Sequence, residues 1–154
     1  MLRKFSEALY FSVITLWVGG LWVIGYIVAP ALFAGLGDRQ LAGMMAGQLF
    51  ALIGWVGLAS ATYLSLFMAA HVGRRVFGSA LFWLVLAMAL ITLVTQFGIQ
   101  PLMAQLKAAA LPQAVMESAW RDRFAAWHGV SSILYLLQSL LGLGLVVASR
   151  RGLK

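Results

Sequence analysis

Where the charges fall constrains this chain more than any other feature. Its 11 basic and 4 acidic residues occupy five places: Arg3, Lys4 and Glu7; Asp38 and Arg39; Arg74 and Arg75; Lys107 to Arg123; and Arg150, Arg151 and Lys154. Between them stand four uncharged runs, Ala8 to Gly37 (30 residues), Gln40 to Gly73 (34), Val76 to Leu106 (31) and Phe124 to Ser149 (26). A helix needs about 20 apolar residues to cross a hydrocarbon core of about 30 Å, so each run is long enough to span a bilayer. With 63% hydrophobic and 10% charged residues and a mean hydropathy of +0.96, the chain has too few polar side chains to coat a soluble globule.

Membrane-spanning strands would show segments of about ten residues alternating in polarity, whereas Leu81 to Ile91 is apolar on nearly every side. Helices satisfy their own backbone in lipid. The expected fold is therefore all-α, an integral membrane four-helix bundle forming a single domain over 1–154, with spans near 9–33, 41–70, 77–100 and 125–148. Two very short connections favour an up-down-up-down course. The N-terminal tail, the Arg74-Arg75 turn and the C-terminal tail hold seven basic residues against four in the other two loops. Both termini are expected on the cytoplasmic side of a bacterial inner membrane, with loop 107–123 outside. Within that loop, Gln113 to Arg123 has the spacing of a short helix lying on the outer surface.

The net charge of +7 does not point to nucleic acid, because the basic residues flank spans and are not interleaved with aromatics. The first apolar stretch is about twice the 7–15 residues of a signal-peptide core, and it is expected to stay as a span. There is no cysteine, hence no disulfide and no thiolate metal site.

Pro30 near the end of the first span predicts a kink or an early helix end, since it cannot donate to the carbonyl of Tyr26. Asp38 is an expected N-cap for the second span. That span carries a stripe of small residues, Gly43, Gly47, Ala51, Gly54, Ala61 and Ser65, which suits either close packing within the chain or a dimer interface. Gly20 and Gly25 offer the same close approach on the first span. The third span has a polar stripe, Thr92, Gln96 and Gln100. The fourth has His128, Ser131, Ser132, Tyr135, Gln138 or Ser139, and Gly142. Neutral polar groups in hydrocarbon need partners, so the two stripes should face each other or a cavity.

No charge lies inside any run, which argues against a proton relay or ion-coupled transporter. Hydrolase, kinase and nucleotide-binding fingerprints are missing as well. A non-enzymatic protein is expected. The two histidines are separated by the membrane: Arg39 to His71 is 32 residues, about 48 Å as a helix. His71 reads as interfacial. His128 shares its side with Met44, Met45, Met103 and Met116. Imidazole and thioether ligands suit Cu(I) and can also bind haem iron, although methionine is equally a filler of apolar gaps.

The run Trp17-Val18-Gly19-Gly20-Leu21-Trp22, followed by Gly25-Tyr26-Ile27-Val28-Ala29-Pro30-Ala31-Leu32-Phe33, resembles a bacterial family of small four-helix membrane proteins. So do Arg39, Ala42-Gly43 and Ala46-Gly47-Gln48-Leu49-Phe50. That family has a domain of unknown function and is related to eukaryotic transmembrane protein 205. Trp127-His128-Gly129-Val130-Ser131 looks like its second shared feature, so that the similarity extends over nearly the whole chain. The Trp-x-Gly-Gly portion is also similar to copper-resistance protein D and to the haem-dependent four-helix protoporphyrinogen oxidases, but the first span carries no histidine. The resemblance implies architecture more than activity. It directs attention to Gly20, Gly25, Tyr26, Pro30, Gly43, Gly47, Gln48 and His128.

The sequence thus leads to an inner-membrane protein with an outward-facing polar pocket for a small ligand or ion, formed by Tyr26, Pro30, Gln48, Gln96, Gln100 and His128. Two alternatives stay open. One is copper or haem handling through His128 with Met44, Met45 and Met103. The other is an accessory subunit, homo-oligomeric or docked on a larger membrane partner.

Overall fold

The computed structural model describes residues 2–149, with side chains from Ser6 onward. Arg150, Arg151 and Lys154, and the side chains of Arg3 and Lys4, on which the expected orientation draws, lie outside the described residues. The described chain is all-helical: α1 (Leu2–Val23), α2 (Ala29–Gly35), α3 (Arg39–Val72), α4 (Ala80–Val94), α5 (Gln100–Ala110) and α6 (Arg121–Ser149). Joined through short non-α turns, these make four rods long and apolar enough to cross a membrane, Ser6–Gly35, Arg39–Gly78, Ala80–Ala110 and Arg121–Ser149. This is a multi-pass membrane architecture.

Pro30 does not end the first rod. One turn widens instead: over Ile24–Val28 the helix is a π-helix, and the N–H of Ala29 reaches the carbonyl of Ile24 five residues back. The third rod does the same before Pro101, with a π-helix over Thr95–Ile99 and the N–H of Gln100 on the carbonyl of Thr95. A proline offers no N–H and its ring crowds the carbonyl four residues behind it, so inserting one extra residue into the preceding turn relieves the crowding and keeps the chain helical. Both prolines then occupy the first turn of the helix that follows, α2 and α5, where a missing donor costs little.

The rod ends follow elementary capping. The Asp38 carboxylate accepts from the N–H of Gln40 at 2.7 Å and of Leu41 at 3.1 Å, as expected of an N-cap. α3 stops at Gly73, whose φ of 57° suits only glycine comfortably. A 3₁₀ turn over Gly73–Gly78 follows, closed by the indole of Trp83 donating to the carbonyl of Phe77 at 2.9 Å. α5 ends at Ala110 because Leu111 precedes Pro112 and is held extended, φ −56° and ψ 142°.

The rods pack in a ring: α1 against α3 and α6, and α4 against the same two. Trp17, Leu64, Val85, Met88 and Leu145 are fully enclosed at its centre. Leu16, Ile27, Leu66, Leu90 and Ile133 point outward, each 62–66% exposed, as side chains whose solvent is lipid.

Two stretches depart from expectation. The third span does not stop near Gln100 but runs on to Ala110, which brings Lys107 into a helix. The surface helix over Gln113 to Arg123 does not form. Only Val115–Glu117 makes a single 3₁₀ turn, and α6 begins at Arg121. The hydroxyl of Ser118 donates to the carbonyl of Val115 and accepts from the N–H of Trp120. This local turn competes with a helical ladder.

Glycines on the ring's inner faces receive large side chains. A Cβ on Gly20 would stand 2.6 Å from Cδ1 of Ile53, one on Gly57 would stand 2.7 Å from the indole nitrogen of Trp17, and one on Gly25 would run into the ring of Tyr135. Gly25→Ala is therefore expected to destabilise the protein by about 1–3 kcal/mol through overpacking. Gly98→Ala, in a position open to the surroundings, should be neutral or stabilising by up to about 1 kcal/mol. Unfolding midpoints of the two variants in one detergent check the contrast.

Candidate functional site

Neutral polar side chains join the four rods at several points. The best buried link is between α4 and α6. Gln138 Nε2 donates to Thr92 Oγ1 at 2.7 Å, and Thr92 passes its own proton to the carbonyl of Met88 at 2.8 Å. Gln138 and Thr92 are buried, and so is the neighbouring Ser139. The polar stripes of the third and fourth spans do therefore meet, in a direct hydrogen bond between helices.

A second group gathers on the widened turn of the first rod. The Tyr26 hydroxyl donates to Ser139 Oγ at 2.9 Å, and Ser139 in turn donates to the carbonyl of Tyr135. The Tyr135 hydroxyl donates to the carbonyl of Leu21. The Tyr135 ring meets those of Tyr26 and Phe50 edge to face, with centroids 6.2 and 5.1 Å apart. The missing side chain of Gly25 admits that ring. Tyr26 itself is 50% exposed, an unusual position for a phenol within an apolar rod.

The other expected pocket residues scatter. Gln96, on the second π-helix, sends Nε2 to the carbonyl of Ala51 at 3.3 Å and fills the space over Gly54 on α3. Gln100 is half-buried and Gln48 exposed. Pro30 is exposed in the first turn of α2. His128 is exposed, its ring stacked on Phe124 with centroids 5.9 Å apart and planes at 9°. Among the described residues His128 shares no hydrogen bond with Tyr26, Gln48, Gln96 or Gln100. The hydrogen bonds of Tyr26 and Gln96 lead apart, to Ser139 on α6 and Ala51 on α3, and Tyr26 meets α6 eleven residues from His128.

Met44 and Met45 are 51% and 40% exposed on α3, and Met103 is half-buried on α5. The described residues contain no group of three or more His, Cys, Asp and Glu side chains placed to hold a metal ion. His71, in the last turn of α3, has Nδ1 2.9 Å from the carbonyl of Phe67 and stacks on that ring. Gly43 and Gly47 face no second helix backbone. Near them lie Phe33 and the Nζ of Lys107.

Two open grooves lie apart from these residues. One, of about 350 Å³, runs between α1 and α3 and is lined by Val13, Leu16, Val56, Ala59, Ser60 and Tyr63. The other, of about 310 Å³, lies between α1 and α6 and is lined by Thr15, Val18, Gly19, Trp22, Leu143 and Val146. Both are almost wholly apolar. Beside the first, the buried indole N–H of Trp17 has no acceptor among the described residues.

Lys107 and the Gly57 contact with Trp17 were missed by reasoning on sequence alone. The signal for Lys107 was present: Gln100, Met103 and Lys107 continue the three- and four-residue steps of the third span, and Leu102 to Ala110 consists of strong helix formers. Nothing comparable pointed from Gly57 to Trp17.

The Gln138–Thr92 link is open to a double-mutant cycle. Couplings between polar side chains in membrane helices average about 0.6 kcal/mol and reach about 1.7. With both residues buried, Thr92→Val and Gln138→Leu are expected to couple near the upper value, read from unfolding in mixed micelles. Additive losses would mean that the bond contributes nothing.

A family model described as "Domain of unknown function (DUF4149)" matches residues 12–112. Trp127 to Ser131 lies beyond the matched stretch. No curated protein and no solved structure matches the chain.

Proposed function

We propose, for a chain that belongs to the DUF4149 family, a non-enzymatic role in the bacterial inner membrane: holding a small hydrogen-bond-donating ligand beside the hydroxyl of Tyr26. The observation that carries this reading is a half-exposed phenol set in an apolar rod, with its proton already given to Ser139. Its oxygen lone pairs remain able to accept. An accepting phenol oxygen selects a hydroxyl, an amine or an amide. Gln48, Gln100 and His128 are not needed for this arrangement, which narrows the pocket expected from sequence to its Tyr26 portion.

The hydroxyl chemistry favours binding over catalysis. Thr92, Thr95, Ser132 and Ser139 each donate to a carbonyl four residues back in their own helix. Such protons are committed to the helix backbone.

Orientation follows from the basic residues, with both termini cytoplasmic and the helices running up-down-up-down. An alkaline phosphatase reporter inserted after Gln113 is expected to be active and one fused after Lys154 inactive, and the reverse pattern overturns the topology.

Native mass spectrometry of the protein released from gentle detergent tests the ligand. The wild type and Gln48→Ala are expected to carry the same non-lipid adduct, and Tyr26→Phe, with an unchanged gel-filtration profile, is expected to lose it. A wild type without an adduct, or an adduct that persists in Tyr26→Phe, rules the reading out.

A further inference from the structure

Lys107 belongs by sequence to a solvated loop, yet the fold draws it between helices. It sits one turn before the end of α5, half-buried. Its Nζ donates to the carbonyl of Gly43, 3.0 Å away in the second turn of α3. The same nitrogen lies 5.7 Å from the centre of the Phe124 ring on α6. One ammonium thus ties three helices at the end of the bundle that holds the Asp38 turn.

These contacts leave the ammonium incompletely answered. It has three protons. One goes to the Gly43 carbonyl, and an aromatic face offsets part of the charge. Among the described residues no carboxylate pairs with it. Asp38, at the head of α3, already has its carboxylate on two backbone N–H groups of its own helix.

Glycine lies beneath the nitrogen: a Cβ at Gly43 or Gly47 would stand 3.9 or 3.7 Å from Nζ. Phe33 lies against Gly43, so that Phe33, Phe124 and the two glycines form a notch around the charge. A half-buried cation with protons to spare thus stands near the end of rods long and apolar enough to cross a membrane. A charge-assisted bond to an anionic oxygen is about twice as strong as the neutral bond it already makes.

We propose that Lys107 and the Gly43–Gly47 notch form a binding site for an anionic phosphate oxygen, brought by a phospholipid headgroup or by free phosphate. The site stands on different residues from the Tyr26 reading and does not depend on it. Lysine serves here as a point charge on a flexible stem, so Arg can replace it in kind and Gln cannot.

The test is thermal unfolding of the full chain in detergent, titrated separately with short-chain phosphatidylglycerol, inorganic phosphate and a neutral diacylglycerol. Phosphatidylglycerol is expected to raise the wild-type midpoint saturably, and Lys107→Arg is expected to keep the response. Lys107→Gln should need about tenfold more lipid for half the effect. A response to inorganic phosphate as well identifies the free ion as sufficient; a response to phosphatidylglycerol alone identifies the headgroup. A lysine that merely braces the helices would lower the starting midpoint of Lys107→Gln but leave the lipid-dependent increment intact, and that result overturns the proposal. So does an equal response to diacylglycerol, or none in the wild type. If Lys107→Gln does not fold, Gly47→Leu keeps the lysine and fills the notch. A full response in that variant is equally fatal.

Discussion

Inside hydrocarbon, a carbonyl or hydroxyl without a partner has no water to turn to, and the rest of this structure depends on how that demand is met. Two prolines sit in rods that must remain helical, and each is preceded by a widened turn in which the donor reaches back five residues. Hydroxyls face the same demand. Thr92, Thr95, Ser132 and Ser139 give their protons to their own helices, and Tyr26 and Gln138 reach across to neighbours. The widened turns have a consequence beyond repair, since they carry Tyr26 and Gln96, which bond from the first and third rods to α6 and α3.

Because lipid is as apolar as the side chains, burying leucine against leucine gives little advantage over leaving it in the bilayer, and close fit must hold the helices together. The ring shows that fit in large-on-small pairs: Ile53 over Gly20, Tyr135 over Gly25, Trp17 over Gly57, and Val18 with Met88 over Gly142. In two of them fit and polarity coincide. Tyr135 enters over Gly25 and reaches the carbonyl of Leu21 with its hydroxyl. Gln96 fills the space over Gly54 and donates to Ala51. Trp17 fits as closely but buries an N–H without an acceptor among the described residues, and close packing against Gly57 is what the position gains in exchange.

The four rods, the Asp38 cap and the meeting of the two polar stripes were legible because each rests on local chemistry or on helical period. The course of 107–123 was not. Its amphipathic spacing is real, but Pro112 and the Ser118 turn outweigh it, and a charge at position 107 hides a helix that propensity alone supports. The expected polar pocket was less legible. Tyr26 turns toward Ser139 on α6, eleven residues along that helix from His128, Gln96 turns toward α3, and His128 lies on its own helix's Phe124.

Sequence by itself determined that the chain is helical, that four of its runs are long and apolar enough to cross a membrane and which residues could carry polar chemistry there, since run length and charge placement depend only on distance along a helix. Which of those residues meet was decided by tertiary structure. The rotation of each rod about its axis depends on which side chains fit over which glycines, and the widened turns before Pro30 and Pro101 change that rotation partway along. Lys107 shows the difference most clearly: sequence placed a charge beyond a span, and only packing put it against Gly43 and Phe124.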